Sequence, residues 1–111
     1  MEPDSETRAR RAWPVLVALA RRRGDPLTYG ELCAKLGLHH RAAAPLLDRI
    51  QQFCKRNGLP PIHALVVNAR TRLPGSGSIG SGRDVRAHRR ALERVYDYRE
   101  WSARAPTFRE A

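Results

Sequence analysis

The chain has 111 residues, with 21 Lys and Arg against 11 Asp and Glu, and so a formal net charge of +10. This length corresponds to one domain, and 41% hydrophobic residues is enough for a compact core, which excludes a wholly disordered chain. No apolar run approaches the roughly 20 residues of a membrane span, and residues 1–11 are too charged for a secretory signal. We therefore expect a cytoplasmic protein with no membrane partner.

The positive charge comes mostly from arginine, with 19 Arg against 2 Lys. A guanidinium group binds phosphate through two parallel hydrogen bonds and stacks on bases, which an ammonium group does less well. The sequence pI is near 11.1, and a value this high is typical of proteins that neutralise nucleic-acid phosphates. Charge alone does not distinguish DNA from RNA or from an acidic protein.

The first predicted element is a helix from about residue 5 to residue 23, where apolar residues recur at spacings of three and four. Pro14 is expected to kink this helix or restart it, because proline lacks the amide hydrogen of a helical bond. Gly24 is expected to adopt the left-handed conformation that ends the helix, and Pro26 prevents its continuation.

Two further helices are predicted from the next motifs. Thr28 and Glu31 have the spacing of a capping box, which starts a helix that runs to about Leu36 and ends at Gly37. A longer amphipathic helix follows from about residue 41 to residue 57. Two helices joined by a short turn predict a helix-turn-helix over about residues 29–57. The outer face of its second helix carries basic and amide side chains: Arg41, Arg49, Gln52, Lys55 and Arg56.

The segment after this motif predicts a strand and a wing. Residues 62–69 are an apolar, β-branched run of strand length. Arg70 and Arg72 then lead into a Gly- and Ser-rich stretch, so residues 70–82 are expected to form a mobile basic wing.

The last predicted helix, from about residue 84 to residue 98, has two distinct faces. His88 lies in the apolar arc and is expected to pack there with one ring nitrogen hydrogen-bonded. The residues predicted to share that apolar arc are Val85, His88, Leu92, Val95 and Tyr96, and those on the opposite, basic face are Arg83, Arg86, Arg90 and Arg94.

Residues 27–82, about half of the chain, contain a recognisable series of short motifs. They are TYGEL from Thr28, Leu36 with Gly37, Arg41 with Ala42, and NGLP from Asn57, followed by the predicted strand and Gly-rich loop. This series resembles the DNA-binding domain of the alkylguanine-DNA alkyltransferases and alkyltransferase-like proteins.

The resemblance implies a fold and a way of docking on DNA. In that family a winged helix-turn-helix binds the minor groove, a tyrosine presses on a phosphate, and an arginine enters the base stack in place of a flipped nucleotide. The resemblance implies these roles for Tyr29 and Arg41, and the role of hinge asparagine for Asn57. The gap between Gly37 and Asn57 is longer than in the family.

We expect no catalytic activity, metal or cofactor. The family's Pro-Cys-His-Arg motif is expected near residues 64–67, which hold none of its Cys, His or Arg, so the thiolate that alkyl transfer needs is absent. The two cysteines, Cys33 and Cys54, are expected to be reduced and buried, and the histidines show no zinc-ligand spacing. Glycines 75, 77 and 80 match a dinucleotide motif but lack its strand arrangement.

The sequence thus predicts an α+β, mostly α, single domain of winged helix-turn-helix type with a C-terminal Arg-rich helix. Residues 1–82 form the winged part, and residues 83–111 form an amphipathic helix and tail packed on the same domain. The expected function is non-enzymatic binding of double-stranded DNA, in the nucleoid region of the cytoplasm. The residues expected to contact DNA are Tyr29, His40, Arg41, Arg49, Gln52, Arg56, Arg70 and Arg72, with Arg83, Arg86, Arg90 and Arg94 as a secondary basic face.

Two alternatives stay open. In the first, the C-terminal helix and aromatic tail form a docking surface for another protein, as in an adaptor, an antitoxin-like protein or a phage-related inhibitor. This alternative requires the aromatic residues Tyr96, Tyr98, Trp101 and Phe108 to be exposed together. A homodimer or larger assembly is compatible with the DNA-binding interpretation, because a single module of this size buries little nucleic-acid surface. RNA binding is the third possibility, although no aromatic stacking platform is evident.

Overall fold

Four α-helices and two very short strands make up the described part of the chain, which in this computed structural model is residues 5–73, 85–106 and 108. The mostly helical α+β class is confirmed. The Gly-rich part of the predicted wing and Arg83 lie outside the described residues. In chain order the elements are α1 (Ser5–Arg21), β1 (Leu27–Thr28), α2 (Tyr29–Leu36), α3 (Ala43–Arg56), β2 (Val66–Val67) and α4 (Val85–Asp97), with 3₁₀ turns at His40–Ala42 and Ile62–Leu65. None of the described helices is long and apolar enough to cross a membrane.

Helix α1 forms one side of the core and runs through Pro14 without ending there. The expectation that Gly24 takes the left-handed conformation is wrong, because Arg23 does so, with φ 52°. The amide of Gly24, the residue after Arg23, donates to the carbonyl of Leu19 at 2.9 Å, and this hydrogen bond ends the helix. A Cβ at position 24 would clash with Cδ1 of Leu19, so any other residue there would require the Leu19 side chain to shift.

The α2–α3 unit begins with the predicted capping box. The Oγ1 of Thr28 accepts from the amide of Glu31 at 3.1 Å, and the carboxylate of Glu31 accepts from the amide of Thr28 at 2.8 Å. Helix α2 ends at Gly37, whose φ of 68° is left-handed as expected. The 3₁₀ turn at His40–Ala42 leads into α3. At the start of this turn, Nδ1 of His39 accepts from the amide of Arg41 at 3.2 Å.

The expectation of a strand over residues 62–69 is wrong. After Pro60 and Pro61 the chain forms a 3₁₀ turn, with the amide of Ala64 donating to the carbonyl of Pro61 at 2.9 Å, and only Val66–Val67 is extended. All six residues from 62 to 67 are buried, and the 3₁₀ turn packs against α1, α3 and α4. A continuous apolar run fits a buried turn as well as a buried strand, so its periodicity does not separate the two.

The two strands pair in parallel, with Leu27 opposite Val66 and Thr28 opposite Val67. No strand was predicted at the position of β1, which lies directly before α2. A parallel pair needs a long crossover connection, and here the whole α2–α3 unit is that connection. The pair therefore joins the chain just before α2 to the chain that follows α3.

Helix α4 packs on the 3₁₀ turn at Ile62–Leu65. The expectation for His88 is confirmed: it is buried, and its Nε2 lies 2.9 Å from the carbonyl oxygen of Ala64. Because a carbonyl accepts, Nε2 carries the proton. Val85, which was expected in the apolar arc, is 58% exposed. It stands at the first position of the helix.

An aromatic cluster covers the other side of the core. Phe108 lies 5.6 Å from Trp13 and 5.1 Å from Phe53, centroid to centroid, and Trp13 lies 5.7 Å from Trp101. The indole of Trp13 donates to the carbonyl of Ser102 at 2.8 Å, and that of Trp101 donates to the carbonyl of Val95 at 2.8 Å. The tail thus packs back on α1 and α3.

We predict that Phe108→Ala lowers the free energy of unfolding by about 3–5 kcal/mol, because it removes a fully buried ring from this cluster. Urea denaturation followed by circular dichroism measures the change. Phe108→Leu keeps most of the volume and is expected to lose about 1 kcal/mol. Val85→Ala, at an exposed site, is the control, and equal losses for Val85→Ala and Phe108→Ala would contradict the packing described.

The capping box gives a second prediction, on pH. Hydrogen bonds from Thr28, with smaller contributions from the charges of Arg72 and Lys35, lower the pKa of Glu31 from its ordinary 4.5. A lowered carboxyl pKa stabilises the fold above the ordinary value, and this contribution is lost as the pH falls through the folded-state pKa.

We expect Thr28→Val to raise the pKa of Glu31 towards 4.5, and to lower stability by about 0.5–2 kcal/mol at neutral pH. An NMR titration of the Glu31 carboxyl and a urea melt measure the two effects. Thr28→Ser keeps the hydroxyl and should preserve both. An unchanged Glu31 pKa in Thr28→Val would show that the hydroxyl does not act on this carboxyl.

Candidate nucleic-acid interface

The outer face of α3 begins with the apolar residues Ala44 and Pro45 and is polar from Asp48 onwards. Its buried side, formed by Ala43, Leu46, Leu47, Ile50 and Cys54, packs on the core. Opposite that side, the exposed residues are Ala44, Pro45, Asp48, Gln52, Lys55 and Arg56.

The predicted contact residues of α3 do not all share this face. Gln52 and Arg56 are exposed, but Arg49 is half-buried and its Nε donates to Oγ of Ser5 at 2.9 Å. Arg49 therefore points towards the beginning of α1. At about 100° per residue, Gln51 lies on the opposite flank of the helix from Arg49.

The flank of α3 that carries Gln51 borders a cavity of about 280 Å³ next to the start of α2. Tyr29, half-buried at that start, shares the cavity with Asp48 and with the buried His63. The complete lining is Tyr29, Ala44, Leu47, Asp48, Gln51, His63 and Val66. Asp48 and Gln51 of α3 thus lie beside Tyr29. The residues that the sequence predicted to contact DNA from this helix were basic or amide side chains only.

Arg41 lies at a different place from Tyr29. It is exposed in the 3₁₀ turn before α3 and lines a cavity of about 460 Å³ with Arg8 of α1, His39 and Ala42. His40 is also exposed, and its ring lies 4.2 Å from that of His39, centroid to centroid. The structure therefore groups Arg41 with Arg8 and the two histidines.

The far end of α3 meets an arginine of α4. A cavity of about 320 Å³ is lined by Gln51 and Lys55 of α3 and by Arg94 of α4, together with residues of the core edge. Of the secondary basic face, Arg94 lines this cavity, and Arg86 and Arg90 are exposed on α4.

The two predicted wing arginines lie in a turn after β2. Arg70 and Arg72 are exposed, and Oδ1 of Asn68 accepts from the amide of Arg70 at 2.8 Å. The charge of Arg72 contributes to the lowered pKa of Glu31. The turn therefore lies near the start of α2, where Tyr29 also stands.

A third group of arginines lies where α1 and α4 end, at a site that the sequence did not indicate. Arg21, Arg23 and Arg99 line a cavity of about 510 Å³ with Tyr96, Asp97 and Tyr98. Asp97 forms an ion pair with Arg23 at 3.2 Å, and the guanidinium of Arg23 lies 5.3 Å from the centre of the Tyr96 ring. Both interactions hold the end of α1 against α4.

The aromatic residues of the C-terminal region are not exposed together. Trp101 and Phe108 are buried, and Tyr96 and Tyr98 are half-buried against the core. The hydroxyl of Tyr96 donates to the carbonyl of Gly24 at 2.5 Å. The surface that the protein-docking alternative requires is therefore largely inside the domain.

The cysteines are free and buried, as expected, and neither is suited to nucleophilic attack. Burial raises the pKa of Cys54 to about 11 and raises that of Cys33 as well, which keeps both as thiols at neutral pH. Within residues 5–73, 85–106 and 108, no three His, Cys, Asp or Glu side chains form a group that could hold a metal ion.

Sequence reasoning missed three residues of this region. Lys55 stands on the predicted outer face but was not among the expected contacts. No role was predicted for Gln51, nor for Arg8 of α1. The face of α3 could have indicated Lys55. Nothing in the sequence indicates Arg8, because only the packing of α1 brings it to the turn before α3.

Comparisons of this chain with models of protein families, with curated proteins and with solved structures found no match.

We predict that neither cysteine reacts with a thiol reagent such as DTNB at pH 8 while the protein is folded, because burial keeps both protonated and inaccessible. Both should react at once in 8 M urea, a roughly standard unfolding concentration. Rapid modification of the native protein would contradict the burial of these thiols.

Proposed function

We propose that the protein binds double-stranded DNA through the α2–α3 unit, used as a helix-turn-helix, and that it catalyses no reaction. One observation carries this proposal: cations from other helices stand at both ends of the outer face of α3. Arg8 of α1 joins Arg41 at one end, and Arg94 of α4 joins Lys55 at the other. Arginines also lie elsewhere on the surface, but these four cations bracket the outer face of α3.

The length of this face fits a groove. From Arg41 to Lys55 the chain advances about 20 Å along the helix, at roughly 1.5 Å per residue. The major groove is about 12 Å wide, so the two cationic ends reach the phosphates that border it, in contrast to the minor-groove docking that the resemblance implies. The net charge of +10 favours association with the same polyanion.

The middle of the face has a different chemistry. Asp48 repels phosphates, and Gln52 is neutral, so this part is suited to base edges rather than to the backbone. A glutamine pairs with adenine, and a carboxylate accepts from the amino group of cytosine. We therefore assign the ends of α3 to affinity and its middle to sequence preference. Arg49 is left out of the contacts, because it is held by Ser5.

A second contact region lies at the start of α2, where the winged-helix interpretation places the wing. Arg70 and Arg72 are exposed there, and Tyr29 begins the helix. The resemblance to the alkyltransferase DNA-binding domain implies a phosphate contact for Tyr29. Because β1 pairs with β2, the turn that carries both arginines follows β2 beside the start of α2, which supports their assignment to phosphates near Tyr29.

The absence of catalysis is supported by the two thiols, which are buried with raised pKa values. The alternative, in which another protein binds the aromatic tail, requires exposed aromatic side chains. Trp101 and Phe108 are buried, so the structure does not support it.

We predict that the wild type binds a fluorescent 20-base-pair duplex, a length of roughly two helical turns, with an affinity that falls steeply as salt rises. Lys55→Gln/Arg94→Gln should reduce the affinity about tenfold or more at low salt and lower the slope of log K against log salt by about one to two. Fluorescence anisotropy across a salt series measures both quantities.

The matched control is Arg10→Gln/Arg22→Gln, which removes the same charge from exposed positions that line none of the cavities described above. Gln52→Ala should change the preference among duplex sequences and leave the salt slope unchanged. No binding by the wild type at about 50 mM salt would reject the proposal. Equal losses in the control and the test variant would reject the assignment to α3.

A further inference from the structure

The cavity beside the 3₁₀ turn at His40–Ala42 is lined almost wholly by hydrogen-bond donors. Its lining is Arg8, His39, Arg41 and Ala42, and no acidic side chain is among them. Its volume of about 460 Å³ leaves room for a group several times the size of a water molecule.

Arg8 is the first unusual member. Its Nε is buried and has no hydrogen-bond partner among the residues that the structure describes. A buried charged donor that stays unsatisfied costs about 1–3 kcal/mol or more, so such a group requires an explanation. The cavity places Arg8 beside the turn between α2 and α3, and its charge partly offsets the rise that burial causes in the pKa of the nearby Cys33 thiol.

His39 is held with a defined donor. Its Nδ1 accepts from the amide of Arg41, so the proton of the neutral ring is on Nε2. The ring also lies against that of His40, 4.2 Å between centroids, which limits its rotation. Nε2 is therefore a fixed N–H donor.

Arg41 supplies the second guanidinium. It is exposed, and its side chain forms no hydrogen bond or ion pair with any part of the chain that the structure describes. Two guanidinium groups and one imidazole N–H without a carboxylate match the needs of a tetrahedral oxyanion, which accepts several charge-assisted hydrogen bonds at once.

We infer that Arg8, His39 and Arg41 together bind one phosphate group of the DNA backbone, an inference that rests on the DNA binding proposed above. This site fixes where the N-terminal end of α3 stands on the duplex. It gives Arg41 a phosphate as its partner, in contrast to the position in the base stack that the resemblance implies. It also makes α1 part of the interface.

The test uses the full chain, a 20-base-pair duplex and the variants Arg8→Gln, Arg41→Gln and their combination, with roughly two helical turns of DNA available for contact. Each single variant should weaken binding about three- to tenfold at low salt. Because both arginines contact the same phosphate, the double variant should lower the salt slope by about 0.9, the value for one phosphate. A loss of about 1.8 would mean separate phosphates and would overturn the shared site.

Controls separate this role from a structural one. Arg10→Gln removes an exposed charge of α1 two residues away and should leave the slope unchanged. Arg8→Lys keeps the charge and should recover part of the affinity. If Arg8→Gln lowers only the melting temperature and binds DNA as Arg10→Gln does, the phosphate site is refuted while DNA binding stands.

A second measurement does not depend on DNA. Inorganic phosphate, titrated at millimolar concentration, should shift the Nε2 signal of His39 in the NMR spectrum of the wild type and not in that of Arg8→Gln. If the wild type fails to bind the duplex but shows this shift, the proposed function is refuted and the phosphate site is supported, with free phosphate as its ligand. If neither duplex nor phosphate binds, both proposals fail.

Discussion

The burial of residues 62–67 is the constraint on which the rest of the fold depends. This segment lies under α1, α3 and α4, and all six of its residues are buried. Backbone groups in such a place need partners, since each unsatisfied one costs about 1–3 kcal/mol. His88 satisfies the carbonyl of Ala64, and β1 pairs with Val66 and Val67. One segment therefore fixes α4 through a side chain and the start of α2 through a strand.

The positions of the charged groups follow from this arrangement. Because α1 and α4 both pack on the buried segment, each reaches one end of α3, and each carries an arginine there. The outer face of α3 itself contributes Asp48, Gln52 and Lys55, so its middle is no more than weakly charged. The division into cationic ends and a polar middle is thus a property of three helices, and the DNA-binding proposal depends on it.

The aromatic residues lie in the core and leave the surface to charged and polar side chains. Trp13, Phe53, Trp101 and Phe108 form one cluster, with edge-to-face and tilted contacts that close the core opposite the buried segment. Burying these rings brings the tail onto α1 and leaves arginine and polar side chains outside. Arg23 and Tyr96 hold the ends of α1 and α4 together at a third site. The resulting surface offers charge where a protein-docking face would need apolar area.

The sequence by itself determined the features that depend on neighbours along the chain. The capping box of Thr28 and Glu31, the left-handed Gly37, the two amphipathic helices and the core position of His88 follow from local hydrogen bonding and from helical periodicity, and all are present. Tertiary structure decided what local pattern leaves open. An apolar run such as residues 62–67 is compatible with a strand or with a 3₁₀ turn. Packed under three helices, most of this run forms the 3₁₀ turn. The outer face of α3 was predictable, but Arg8 and Arg94 join it only because distant helices pack against one segment. The periodicity of apolar residues specifies which face of a helix is buried. Contacts between helices specify which other side chains lie next to its exposed face.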